Sequence, residues 1–201
     1  MYRFFVIALF AAAFAEPHEG PCPEVKPVEN FNLTAYQGVW YEISKLPNDN
    51  EGKGQCAQAE YTLDGTTVKV KNTHVIDKVQ SYIEGTAKFE DGANNAAKLV
   101  VSFKFGPLVT ESTLMILATN YNGYSIAYSC NYDKKTKMHN EQVWILSRSK
   151  KLEGDDKTAV DTFMKDSLKH VDTSKLVQTD FSDEACKFTS TSVMSEQTPK
   201  P

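Results

Sequence analysis

The sequence predicts an all-β protein: an eight-stranded, up-and-down antiparallel barrel with one C-terminal α-helix packed outside it. Three observations lead to this fold class. Eight segments of strand length follow one another, short turns separate most of them, and a single helical stripe comes after the last. Sequential strands joined by short turns favour an antiparallel meander. Eight strands suit a closed barrel just wide enough to hold one small ligand.

The N-terminal residues have the pattern of a secretory signal peptide. Arg3 precedes an apolar run over residues 4–15, which ends in the small-x-small form of a cleavage site. This run is too short to span a bilayer, and no later segment is long and apolar enough to do so. We therefore expect a secreted, extracellular protein, with residues 1–15 removed, one domain over residues 16–188 and a Ser/Thr-rich, disordered tail over residues 189–201.

The charge of the mature chain argues against two classes of partner. Without Arg3 the chain has 21 basic and 26 acidic side chains, a formal charge of −5. Such a chain does not attract nucleic acid or an anionic membrane. The expected partner is a small molecule.

Four cysteines remain in the mature chain: Cys22, Cys56, Cys130 and Cys186. An even number in an oxidising compartment predicts two disulfides, and the spacing leaves three pairings open. Asn32-Leu33-Thr34 is a glycosylation sequon, whose occupancy the sequence leaves open.

The strands are predicted in order after a proline-rich arm at residues 16–28. Asp64-Gly65 and Asn122-Gly123 are strong hairpin signals between them. Apolar residues at helical spacing then predict one helix packed on the core. The predicted strands are Val39–Leu46, Ala57–Leu63, Thr67–Ile76, Ser81–Phe89, Ala97–Phe105, Thr113–Ala118, Tyr124–Tyr132 and Gln142–Ser147, with a further short one at Lys175–Gln178; the helical stripe after Gly154-Asp155-Asp156 is Val160, Phe163, Met164, Leu168 and Val171.

Residue alternation indicates a partly polar interior. In the first strand, Trp40 shares its face with Glu42 and Ser44, because alternate residues of a strand point the same way. In residues 124–132 one face is large and apolar and the other is small, including Ser129. A helix outside the barrel would bury the large face outward, so the small face would line a roomy cavity.

Three short motifs in order resemble the lipocalin family. They are Gly38-x-Trp40 on the first strand, Thr119-Asn120-Tyr121 with Asn where Asp is usual, and Arg148 after the last barrel strand. Longer stretches are similar to the insect bilin-binding lipocalins over nearly the whole mature chain. They include CPEVKPVENF, GVWYEISKLPN, WILSRSKKLEG and DFSDEAC.

This resemblance implies several properties. The disulfides would be Cys22–Cys130 and Cys56–Cys186, and Arg148 would cover the Trp40 indole at the closed floor. The ligand would be biliverdin, a linear tetrapyrrole, bound noncovalently because both disulfides use every thiol. The protein would act as a pigment or carrier. Some relatives self-associate, so a homo-oligomer stays open.

Alternation and resemblance together predict the residues that line the ligand cavity. Aromatic side chains would stack on the flat ligand, while Asn72, His74 and Gln142 would meet pyrrole nitrogens and lactam oxygens. We expect His139 at the rim, and Lys53 and Lys78 at the mouth near ligand carboxylates. The predicted lining is Glu42, Tyr61, Asn72, His74, Ile83, Phe103, Phe105, Leu114, Ser129, Gln142 and Trp144.

Two alternatives remain. The first is a lipocalin for another hydrophobic molecule, such as a fatty acid, retinoid, carotenoid or pheromone, because residues 108–114 (LVTESTL) depart from the insect pigments. The least favoured is a lipocalin-type isomerase, which uses a cavity thiol. Cys56 and Cys130 are at outward-facing positions, and no catalytic triad or metal cluster stands out, so we expect neither an enzyme nor a metal site.

Overall fold

A computed structural model of the chain describes residues 17–47 and 53–194. The predicted signal peptide and the last residues of the predicted tail lie outside this range. In chain order the strands are β1 (His18–Glu19), β2 (Gly38–Lys45), β3 (Gln55–Asp64), β4 (Thr67–Ile76), β5 (Val79–Phe89), β6 (Lys98–Phe105), β7 (Leu108–Thr119), β8 (Tyr124–Asp133), β9 (Met138–Ser147), β10 (Val177–Gln178) and β11 (Ser190–Val193). The α-helices are α1 (Leu33–Tyr36) and α2 (Gly154–Ser167).

Strands β2 to β9 form the predicted up-and-down barrel. Each pairs antiparallel with the next, and β9 also pairs with β2, which closes the sheet. The pairing extends several strands beyond their predicted ends. Strand β7 begins at Leu108 rather than Thr113, because Leu108 pairs with Phe105 across a tight turn at Gly106-Pro107. The mouth of the barrel lies at the end where the described residues 46–47, 53–54, 77–78, 106–107 and 134–137 flank the strands.

Two apolar cores lie on opposite sides of the barrel wall, as the alternation in residues 124–132 predicted. The inner core fills the floor around Trp40. The outer core lies beneath α2, where Val160 and Met164 pack against Ile126, Tyr128 and Val143. All five of these side chains are buried, so the large face of β8 points outward. Among the described residues, no helix has the length and apolar composition that crossing a membrane requires.

The segments that flank the barrel are tied to its outside. The N-terminal arm pairs through β1 with β9 and is joined by the disulfide Cys22–Cys130. After α2 the chain returns to the mouth, where β10 pairs with β2 and Cys186 is bonded to Cys56. These are the two disulfide pairings that the resemblance implies.

The predicted disorder from residue 189 is wrong for residues 190–193. These residues form β11, which pairs in parallel with Val79–Tyr82 of β5. A Ser/Thr-rich composition does not exclude an edge strand, because backbone groups alone make the ladder. The composition could not show that β5 has an open edge to receive it.

Candidate functional site

The floor of the barrel is built around the buried Trp40. Its Nε1–H donates to the Tyr36 carbonyl at 2.9 Å, and the Tyr36 hydroxyl shares a hydrogen bond with Ser125 at 2.8 Å. The Arg148 guanidinium lies over the indole, with Cζ 3.7 Å from the ring centroid. It also donates to the carbonyls of Tyr121 at 2.9 Å and Val39 at 2.8 Å. The end of the barrel is therefore closed by one network of a cation, an aromatic ring and backbone acceptors.

The local backbone explains the first motif. Gly38 has φ +91°, a conformation that glycine adopts without strain. A β-carbon at Gly38 would also lie 3.4 Å from Nη1 of Arg148. The glycine therefore turns the chain from α1 into β2 and leaves room for the arginine that covers Trp40.

The Asn120 side chain stabilises the turn of the second motif. Its Oδ1 accepts from the backbone N–H of Gly123 at 2.8 Å and of Tyr124 at 3.0 Å. Its Nδ2 donates to Asp156 of α2 at 2.7 Å. An aspartate would supply the first two contacts but not the third. Asparagine at this position thus also links the floor to the outer helix.

The strand register directs the predicted lining residues into the lumen. Residues that pair directly across neighbouring strands point to the same face of the sheet. Asn72 pairs with Ile83, Gly85 with Phe103, Phe105 with Leu108, Leu99 with Leu114, and Ser129 with Gln142. All of these residues lie on the face that carries Trp40 and Leu146. Many of them keep partial exposure inside a closed barrel, which indicates space in its upper half.

Two predicted lining residues differ in depth. Tyr61 belongs to the packed floor, where its ring makes an edge contact with Tyr36 at 5.3 Å. His74 lies near the mouth on the inward face of β4, with Gly54 against its ring. Tyr61 is therefore placed to bound the lumen from below, and His74 to bound it near the entrance.

A β-bulge corrects the predicted faces of the first strand. Glu42 pairs with Leu146 and faces inward, but the register shifts before Ser44, which pairs with the outward-facing Ile145. Lys45 then pairs with Trp144 and faces inward. Its Nζ lies 3.0 Å from Glu42 Oε1, and Thr179 donates to the same oxygen at 3.2 Å. The bulge brings a cation to the inward carboxylate, and sequence alternation could not show it because the extra residue breaks the two-residue period.

Two carboxamide oxygens in the lumen are buried without a hydrogen-bond partner among the described residues: Oδ1 of Asn72 and Oδ1 of Asn140. Asn140 lies on the inward face of β9, two residues before Gln142. The predicted last barrel strand begins at Gln142 and therefore does not include Asn140, whereas β9 begins at Met138. Alternation carried back from Trp144 would have found it. A buried acceptor without a donor is unfavourable, so both oxygens are suited to a ligand that brings N–H or O–H groups.

The rim position predicted for His139 is wrong. His139 faces outward beneath the N-terminal arm, and its Nδ1 lies 2.9 Å from the Gly20 carbonyl oxygen. Its neighbour on that face is the buried Glu141, which accepts from the Tyr128 hydroxyl at 2.7 Å and lies 2.9 Å from Nε2 of His170. Burial, then the bond to Glu141, raises the pKa of Tyr128. This polar cluster fastens the arm and the helix end to the outside of the wall and does not reach the lumen.

The mouth is lined by loops and by the returning tail. Lys78 is exposed and lies 3.7 Å from Glu184 of the tail, while Lys53 is exposed in the loop before β3. All four cysteines are in disulfides. The site therefore has an aromatic and polar lumen, a closed floor, an accessible mouth and no thiol.

The comparisons with known proteins agree with this geometry. Residues 37–183 match the model of the Lipocalin / cytosolic fatty-acid binding protein family. The chain is 42% identical to insecticyanin-B of Manduca sexta, covering 95% of this chain and 96% of that protein. It is 45% identical to the bilin-binding protein of Pieris brassicae, covering 93% and 98%. The solved structure of insecticyanin from the tobacco hornworm superposes with a TM-score of 0.84 at 41% identity, covering 88% of this chain and 95% of that one. With its closed eight-stranded barrel, its Trp40–Arg148 floor and these relatives, the chain belongs to the lipocalin family.

Proposed function

We propose that this protein is a secreted carrier that binds biliverdin noncovalently in the lumen of its barrel, and that it is not an enzyme. The single observation that carries the ligand class is the pair of unpartnered oxygens on Asn72 and Asn140. A linear tetrapyrrole is flat and largely apolar, yet it carries pyrrole and lactam N–H groups that can donate to such oxygens. Hydrocarbon chains and retinoids have no comparable row of donors.

Other features of the lumen support the same ligand. Phe103, Phe105 and Trp144 offer aromatic faces for a conjugated system. The inward Glu42–Lys45 pair adds an acceptor and a donor near the mouth end of β2. The relative from Pieris brassicae is named for bilin binding. Because both disulfides use every cysteine, neither covalent attachment of the pigment nor isomerase chemistry on a cavity thiol is supported.

A titration of the refolded protein tests the ligand. We expect biliverdin to bind at about one to one with submicromolar affinity, roughly −8 kcal/mol or better. Binding should sharpen the red absorption band, induce visible circular dichroism and quench tryptophan fluorescence, because the pigment would lie in a chiral lumen that contains Trp144. Oleate and retinol serve as competitors. Equal or tighter binding of either one would make a lipid carrier the better description.

Two histidine variants separate lumen binding from binding elsewhere on the protein. His74 faces inward on β4, whereas His139 faces outward under the N-terminal arm. His74→Ala should weaken biliverdin binding by several-fold, and His139→Ala, the matched control, should leave it unchanged. Equal effects of the two substitutions would argue that the pigment does not occupy the lumen.

A further inference from the structure

The barrel wall is incomplete on one side of its mouth. Strand β5 pairs with β4 from Val79 to Ala87, but among the described residues β6 pairs with β5 only from Gly85 to Phe89. The mouth half of β5 therefore has a free edge on the side of β6. This free edge leaves a slot between β5 and the β6–β7 hairpin.

Gly85 marks the point where the two strands separate. A β-carbon there would contact the Ser102 carbonyl oxygen and lie 2.5 Å from Cδ1 of Phe103. The strands thus approach closely at Gly85 and diverge toward the mouth. The next inward residue of β5 toward the mouth, Ile83, and the Phe103 ring are the lumen residues beside the opening.

Strand β11 occupies this edge. Because β4 already holds the other edge of β5 over the same residues, β11 lies on the side of the slot. It pairs Ser190–Val193 with Val79–Tyr82, and two backbone hydrogen bonds flank the ladder: Thr189 N–H to Lys78 O at 2.9 Å and Met194 N–H to Tyr82 O at 2.7 Å.

The attachment of β11 is suited to opening. All four of its residues are exposed, with Val193 at 58%, so the strand is held mainly by backbone hydrogen bonds and buries little apolar surface. It is tethered just before its start by the disulfide Cys56–Cys186. A short edge strand of this kind belongs to the least stable part of a fold, and the tether keeps it close enough to return.

We propose that residues 189–194 form a detachable strand that closes a side slot of the barrel, and that its release widens the mouth and sets the rate at which a lumen ligand enters and leaves. This inference rests on the proposed function only for the identity of the ligand. The strand can be tested without any ligand bound.

Two truncations form a matched pair. A chain that ends at Met194 keeps the strand, whereas a chain that ends at Phe188 loses it and retains Cys186. In hydrogen-exchange mass spectrometry of the ligand-free protein, peptides spanning residues 79–82 should exchange about tenfold faster in the shorter chain only. Stopped-flow entry of the fluorescent probe anilinonaphthalene sulfonate, and dissociation of biliverdin, should both accelerate several-fold in that chain. Equal rates in the two truncations would overturn the proposal.

An engineered disulfide that holds β11 on β5 tests whether preventing release of the strand slows ligand exchange. Tyr82 and Val193 are paired across the two strands, and neighbouring strands lie about 4.8 Å apart, within the range that a disulfide spans. The double variant Tyr82→Cys/Val193→Cys, with its new disulfide verified by peptide mapping, should slow probe entry and biliverdin release below the wild-type rates. A locked protein that exchanges at the wild-type rate would refute release of the strand as the limiting step. Failure of biliverdin to bind would refute only the proposed ligand, because hydrogen exchange and the probe still report on the strand.

Discussion

Replacing Asn140 with leucine is expected to change the stability of the free protein and its affinity for biliverdin in opposite directions. Leucine has nearly the same shape as asparagine but no polar atoms. In the free protein the substitution removes a buried Oδ1 that has no partner among the described residues. An unsatisfied buried polar group costs about 1–3 kcal/mol. We expect the free energy of unfolding to rise by about 1 kcal/mol, which raises Tm by roughly 2–4 °C for a domain of this size.

The same substitution should weaken biliverdin binding. In the complex, the ligand N–H group that would donate to Oδ1 of Asn140 is left without an acceptor in the lumen. This loss weakens the binding free energy by about 1.4 kcal/mol, which corresponds to a tenfold higher Kd. Asn72→Leu should behave in the same way. Stability is measured by urea denaturation of the free protein, and affinity by fluorescence quenching.

Thr62 provides the control for this pair of measurements. It is exposed on the outward face of β3, next to the inward-facing Tyr61, so Thr62→Leu should change neither quantity appreciably. If Asn140→Leu destabilises the free protein and leaves the affinity unaltered, the oxygen is satisfied without the ligand, and the reasoning that leads from it to a donor-bearing ligand fails.

Two further predictions concern the floor. Arg148→Ala should lower the free energy of unfolding by about 1–3 kcal/mol, because it uncovers Trp40 and leaves backbone carbonyls without a donor. The affinity for biliverdin should change little. An unaltered midpoint of urea denaturation would contradict the role of Arg148 in covering the indole. Asn120→Asp should destabilise by about 0.5–1 kcal/mol at low salt, because a carboxylate would replace the donor to Asp156. High salt or the added change Asp156→Asn should restore most of this loss, and a loss that neither reverses would assign the effect to the turn itself.

The alternation of residues along the strands predicts most of the side chains that line the barrel wall. The sequence predicts that Ser129, Gln142 and Trp144 face inward, because their strands have one large apolar face and a single helix covers that face from outside. The contact between Arg148 and Trp40 at the floor was predicted from the resemblance to lipocalins and not from the residue pattern. Nothing in the spacing of Trp40 and Arg148 shows that they touch, since their contact depends on the closure of β9 onto β2.

What the sequence determined by itself was the period of each strand and hence the two faces of the wall, because side-chain direction in a regular strand is a local property. What only the tertiary structure decided depends on pairing between distant segments. The bulge that turns Lys45 toward Glu42, the outward position of His139, the unpartnered oxygen of Asn140 and the free edge that β11 fills are all set by register against another strand. Register is specified by contacts across the sheet, and a one-residue shift moves a side chain from one face to the other.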